Sequence, residues 1–136
     1  MFRKPAEAKV NNEGYYSFNQ FSNNDNWQAH YKTTGPEIWL DTRETVTHFV
    51  SSMGTTGTIM GTSTYLKEKN PQINIVGVQP TDESRIPGIR KWPEAYLPKI
   101  FDRKKVDQII ALKPTIIQTD HPKKILEYLK NKNLHK

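Results

Sequence analysis

The 136-residue sequence contains no cysteine, which excludes a disulfide framework, a thiolate nucleophile and a cysteine-ligated zinc site. No apolar run reaches the about 20 residues that a bilayer-spanning helix needs. The opening stretch Met1-Phe-Arg-Lys-Pro-Ala-Glu7 is charged but lacks the apolar core of a secretory leader. A cytoplasmic site of action and no membrane partner are the expectations. Histidine is scarce: the four, at positions 30, 48, 121 and 135, form no His-Glu-x-x-His pattern. They read as surface or packing residues, and no metal site is expected. Hydrophobic residues make up only 35% of the chain, less than an independent globular domain usually carries. Such a chain is expected to need neighbours to complete its core.

Acidic residues are outnumbered, 14 against 20 Lys and Arg, for a formal net charge of +6. A basic balance raises nucleic-acid binding as a reading. The distribution argues against it, because the cations gather late, as Arg103-Lys104-Lys105, Lys123-Lys124 and positions 130 to 136, with no aromatic interleaving of the kind an RNA-binding sheet shows. Solvated helix faces account for such runs, and no nucleic-acid partner is expected.

Against these absences stands one information-rich stretch, Thr47-His-Phe-Val-Ser-Ser-Met-Gly-Thr-Thr-Gly-Thr-Ile-Met-Gly61. Phe49 and Val50 suit a buried strand, Gly54 and Gly57 permit a tight turn, and Ile59, Tyr65 and Leu66 fall on one face of a helix ending near Lys69. A glycine loop therefore lands on a helix N-terminus, where unpaired N–H groups and the helix dipole favour an anion. The hydroxyls of Thr55, Thr56 and Thr58 can add donors. The loop holds no lysine, so the Gly-x-x-x-x-Gly-Lys-Ser/Thr pattern of nucleotide hydrolysis is absent, as is Gly-x-Gly-x-x-Gly. Neutral donors suit a permanently held phosphate. The plain alternative is a strand-to-helix turn whose glycines serve only close packing.

The remaining chain is organised around this unit. Residues 4 to 12 read as the end of a short helix, 14 to 21 as an aromatic β-prone run with Gln20 at its exit, and 22 to 26 as a turn. A helix fits 27 to 32, and a second begins near Thr34, which stands at capping-box spacing from Glu37 with Pro36 in the first turn. Trp27, Tyr31 and Trp39 read as packing groups. Residues 73 to 80 form a buried strand closed by proline, so strand, helix and strand over 47 to 79 predict a parallel, right-handed βαβ unit with its glycine loop at the carboxyl end of the sheet. Residues 81 to 103 make a long connection, expected to be ordered because Ile86, Ile89 and Trp92 are apolar. A strand over 106 to 112 and a helix capped by Asp120 complete the reading. No internal repeat or domain boundary is visible.

The motifs Asn19-Gln-Phe-Ser-Asn23, His30-Tyr-Lys-Thr-Thr-Gly-Pro-Glu-Ile-Trp39, Thr47 to Thr58, Ile75-Val-Gly-Val-Gln-Pro80 and Ile86-Pro-Gly-Ile-Arg-Lys-Trp92 occur in that order. Together they resemble the B-type cysteine synthases, the O-acetylserine sulfhydrylases among pyridoxal-phosphate enzymes of fold type II. The resemblance runs from about residue 6 to about residue 112 and fades towards the C-terminus. It implies an α/β fold in which residues 1 to 136 are a single partial domain, the central part of the large domain of such an enzyme, with a parallel sheet and flanking helices. Gly54, Thr55, Thr56, Gly57 and Thr58 would correspond to the loop holding the phosphate of pyridoxal 5'-phosphate. Gln20 would correspond to a glutamine at the substrate carboxylate, and Arg90 and Trp92 to residues shaping the entrance for the sulfur donor. The loop resembles the B form more than the A form, whose loop reads Gly-Thr-Gly-Gly-Thr.

The reaction so implied is a β-replacement in which O-acetyl-L-serine loses acetate and gains sulfur from sulfide or thiosulfate, in a homodimeric enzyme. The Ser-Val-Lys-Asp-Arg-like motif that carries the family's cofactor-bound lysine does not occur among the 136 residues, nor do the Thr-Ser-Gly-Asn-like and Gly-x-Ser-Ser-Gly-like segments. No catalytic residue is therefore assigned. The expectation is a part of a cysteine synthase without chemistry of its own. The alternative is a non-catalytic module that binds phosphate or the cofactor, or docks to an intact subunit.

Overall fold

The computed structural model describes residues 18–84 and 86–113 of the chain. The helices read over 4 to 12 and after Asp120, and most of the aromatic run before Phe18, lie outside them. Within them run α1 (Asn24–Lys32), α2 (Thr34–Asp41), β1 (His48–Ser52), α3 (Gly57–Lys69), β2 (Asn74–Pro80) and β3 (Gln108–Leu112), with single 3-10 turns at Glu94–Tyr96 and Arg103–Lys105. The three strands pair in parallel in the order β1-β2-β3. The parallel βαβ unit expected over 47 to 79 is present.

Register decides what each face of this sheet carries. Phe49 pairs with Ile75 and Gly77 with Ile109, so period-two alternation sets Phe49, Ile75 and Ile109 on one face. That face meets α3: Ile59, Met60, Leu66, Ile73, Ile75 and Val106 form one buried cluster, and Trp27, Ile38, Trp39 and Tyr65 close over it. Ile59, Leu66, Ile73 and Ile75 are wholly removed from solvent, each worth about 1.5–3 kcal/mol of apolar burial. The expected face of α3 and the packing roles of Trp27 and Trp39 are thus observed. The opposite face carries Val50, Val76, Val78 and Ile110, and Val50 there is 60% exposed rather than buried as expected, because no described element covers it.

α1 packs closely along α3. A Cβ on Gly61 would overlap the Trp27 carbonyl oxygen and lie 2.7 Å from both His30 Cβ and the Tyr31 nitrogen, so only glycine allows this approach. Tyr31 stands edge-on between Trp27 and Tyr65. Its hydroxyl donates to Glu68 Oε2 at 2.7 Å, and this bond to a carboxylate pushes the phenol pKa up.

Three local expectations are corrected. The segment 22 to 26 is not all turn, because the Asn23 side chain accepts from the Asp25 N–H and starts α1 at Asn24. The described end of the aromatic run is a turn rather than a strand: the N–H groups of Ser22 and Asn23 both donate to the Asn19 carbonyl at 3.0 Å. The capping box at Thr34 and Glu37 does not form. α2 follows α1 after one residue, so Thr33 is its cap but its hydroxyl donates back to the Ala29 carbonyl rather than capping α2, and the Thr34 hydroxyl turns to His30.

Candidate functional site

Parallel pairing puts the segment after β1 and the connection after β2 at the same edge of the sheet. The first is the glycine loop. Thr56 there has φ +73°, a left-handed conformation that costs a β-branched residue about 1–3 kcal/mol. Its hydroxyl is buried, the residue being 3% exposed, and has no hydrogen-bond partner among the described residues, which costs about 1–3 kcal/mol more. Thr56 caps α3 without a side-chain bond, and the first turn contains no acidic residue. The N–H groups of Thr58 and Ile59 precede the first possible intrahelical bond, while that of Gly57 reaches Thr55 Oγ1 only at 3.4 Å. The loop thus gathers unsatisfied donors at the positive end of α3.

The surrounding elements fix that loop from two sides. On one side Asn26 of α1 donates from Nδ2 to Thr55 Oγ1 at 3.1 Å and to the Gln20 carbonyl at 2.6 Å. A Cβ on Gly57 would overlap the Asn26 carboxamide, so a larger residue there would push Asn26 out of these bonds. His30 bridges Thr34 Oγ1 and Thr58 Oγ1 at 3.0 and 3.2 Å. On the other side Trp92 Nε1 donates to the Gly54 carbonyl at 2.8 Å and the Arg90 N–H to the Met53 carbonyl at 2.9 Å. Gly88, at φ +80°, brings its carbonyl oxygen to 2.6 Å from where a Gly54 Cβ would stand. The Ile86 to Trp92 segment is laced onto the glycine loop.

A cleft of about 240 Å³ opens beside this junction, lined by Phe21, Ser22, Arg90, Trp92, Tyr96 and Lys99 among others. Phe21 meets Trp92 edge-on at 5.6 Å, and the Arg90 guanidinium lies 5.4 Å from the Trp92 ring centre. Arg90 and Trp92 are therefore together in the cleft, with Trp92 linking it to Gly54. The loop residues 54 to 58 and Gln20 do not line it. Gln20 is exposed, and its backbone carbonyl rather than its amide is engaged. Asn26, His30 and Gly88 are the residues that sequence reasoning misses: the pattern places Asn26 in a turn, leaves His30 as a surface or packing residue and puts Gly88 in a loop. The Pro87-Gly88 pair, a turn-forming dipeptide, is the signal that could point to Gly88. No group of three or more potential metal ligands occurs among the described residues.

The family model described as pyridoxal-phosphate dependent enzyme matches residues 2–126. The chain belongs to this family. Within it, cysteine synthase B of Pseudomonas aeruginosa is 63% identical over 93 residues, covering 68% of this chain and 31% of that protein. Cysteine synthase B of Escherichia coli is 56% identical over the same shares. Among solved structures, a cysteine synthase from Entamoeba histolytica superposes with a TM-score of 0.68 at 37% identity, over 77% of this chain and 33% of that one. This pyridoxal-phosphate family member thus spans about a third of the length of the relatives it matches. Its fold is that of the cysteine synthases, with the expected parallel sheet and flanking helices.

Proposed function

We propose that this chain supplies the phosphate-holding part of a B-type cysteine synthase, with Gly54, Thr55, Thr56, Gly57 and Thr58 receiving the phosphate of pyridoxal 5'-phosphate. The observation carrying this reading is the buried Thr56 hydroxyl at the head of α3, which has no partner among the described residues. A phosphate oxygen would accept its hydrogen and offset the strain and desolvation that the loop otherwise bears. The donors are neutral, which suits a group held permanently. When bound, the cofactor supplies an electron sink that labilises the β-substituent of an amino acid.

The chain's own residues would hold and orient. The Gln20 amide would donate to the carboxylate of O-acetyl-L-serine, and the exposed Arg90 cation beside Trp92 would draw sulfide or thiosulfate to the entrance. The products of that reaction are acetate and L-cysteine, or S-sulfocysteine with thiosulfate, in a cytoplasmic homodimer. Because no lysine here stands in the family's cofactor-binding motif, the covalent share falls to residues outside this chain. A surface lysine lacks the burial and fixed geometry that proton transfer needs.

Two measurements test the proposal. Titration with inorganic phosphate should shift the amide resonances of residues 54 to 59, and no change at millimolar phosphate would sink it. Cysteine formation from O-acetylserine and sulfide should be absent for the chain with added cofactor and appear with a separate polypeptide carrying the lysine motif. Turnover by the chain alone, abolished by one Lys→Ala change, would reveal a relocated catalytic lysine. A second reading, a docking module for an intact synthase subunit, draws on the outer edges of β1 and β3, which have no strand partner among the described residues. It predicts a sedimentation shift of intact synthase on adding the chain, without gain of turnover.

A further inference from the structure

We infer that His30 is a positioning residue that frees the Thr58 hydroxyl hydrogen for a bound phosphate by keeping its own proton on Nε2; the inference rests on the phosphate reading of the loop. His30 lies on α1, half-buried, with Nδ1 3.0 Å from Thr34 Oγ1 and Nε2 3.2 Å from Thr58 Oγ1. Its backbone is held against α3 by the close approach at Gly61. A neutral imidazole offers one donor and one acceptor, so only two arrangements satisfy both contacts. With the proton on Nδ1, His30 donates to Thr34 and Nε2 accepts the single hydrogen of Thr58. Thr58 then turns only lone pairs outward, which repel an anion.

With the proton on Nε2, His30 donates to Thr58 Oγ1 and Thr34 donates to Nδ1. The Thr58 hydrogen is then free. Thr34 Oγ1 has no other hydrogen-bond partner among the described residues, so its hydrogen is available for this role. The ionised oxygens of a phosphate only accept, and such an oxygen at Thr58 therefore selects the second arrangement. Thr58 is exposed, which leaves it open to a ligand. The two threonines and the imidazole form a relay that leaves one donor free for the bound phosphate.

The test uses the full chain and inorganic phosphate as the probe. Long-range proton–nitrogen correlation at pH 8 with saturating phosphate should show His30 protonated on Nε2 and bare on Nδ1. The opposite tautomer in the phosphate-bound chain overturns the inference. His30→Leu should weaken phosphate binding roughly tenfold, the scale of one hydrogen bond to a charged group. His30→Gln, whose amide can occupy the Nε2 position, should restore it to within about threefold. Thr34→Val should weaken binding about threefold although residue 34 would not touch the ligand. Wild-type affinity in both His30→Leu and Thr34→Val refutes the inference while leaving the phosphate reading intact. Should His30→Leu fail to fold, the tautomer and Thr34→Val decide. Absence of any response at 54 to 59 in the unaltered chain rejects both readings together.

Discussion

Trp92 donates its indole N–H to the carbonyl oxygen of Gly54 at 2.8 Å, joining two loops 38 residues apart. The bond is possible because β1 and β2 are parallel neighbours, so the segments leaving them emerge at one edge. Trp92→Phe keeps the aromatic contact with Phe21 but leaves the Gly54 carbonyl without this donor. We expect a loss of about 1 kcal/mol of stability by urea unfolding, with amide shifts concentrated at residues 53 to 57. Unchanged shifts at those positions would show that the two loops are not coupled.

Thr56 trades stability for a donor. Thr56→Gly removes a β-branched residue from φ +73° and an orphaned hydroxyl from the interior, gains that exceed the added freedom of glycine in the unfolded chain, about 1 kcal/mol. The ligand-free variant should therefore unfold at a higher urea concentration than the parent. Its phosphate affinity should fall. A variant less stable than the parent would mean that the left-handed threonine bears no net strain.

Gly61→Ala should destabilise the chain, against helix propensity. Alanine in a helix interior is favoured over glycine by about 1 kcal/mol, but the added methyl would meet backbone atoms of Trp27 and Tyr31 that cannot rotate away. Overpacking of this kind costs about 1–3 kcal/mol. A lowered thermal midpoint with altered α1 resonances is the expected result, and a raised midpoint would refute the close approach of α1 and α3.

Asp107 gives stability a dependence on acid. Its carboxylate takes a hydrogen bond from Lys67 and one from the Ile75 N–H at 2.7 Å, and these hold its pKa below the ordinary value. Because the folded value is depressed, the contribution is complete above the unfolded carboxylate value of about 3.9. It is lost as pH falls from there through the folded value. Asp107→Asn should flatten the acid limb of the stability curve, and a limb unchanged by the substitution would assign it to other carboxylates.

The sheet face carrying Val50 leads to a prediction about association. Val50 is 60% exposed and Leu112 50% exposed on outer strands without partners among the described residues, the arrangement that favours pairing between chains. Sedimentation velocity should show a mass that rises with concentration, and Val50→Lys should reduce that rise without lowering the unfolding midpoint. A concentration-independent monomer would show that the chain is self-sufficient.

The βαβ unit, the ends of α3 and the packing aromatics were legible in the sequence because each rests on local periodicity or glycine punctuation. Gly54 and Gly57 flagged the turn, and the run from Ile73 to Pro80 flagged β2. The capping of α2 was misread because the signal at Thr34 and Glu37 is real but the helix before it ends one residue earlier, and its geometry claims Thr33 as the cap. What no pattern announced is which side chains meet. Asn26 reaches Thr55 and His30 reaches Thr58 only because Gly61 lets α1 lie against α3, and Trp92 meets Gly54 only because two parallel strands share an edge. Periodicity acts between residues a few positions apart and fixes the elements; contacts made across tens of residues depend on how those elements pack, and packing alone turned a glycine loop into a braced candidate site.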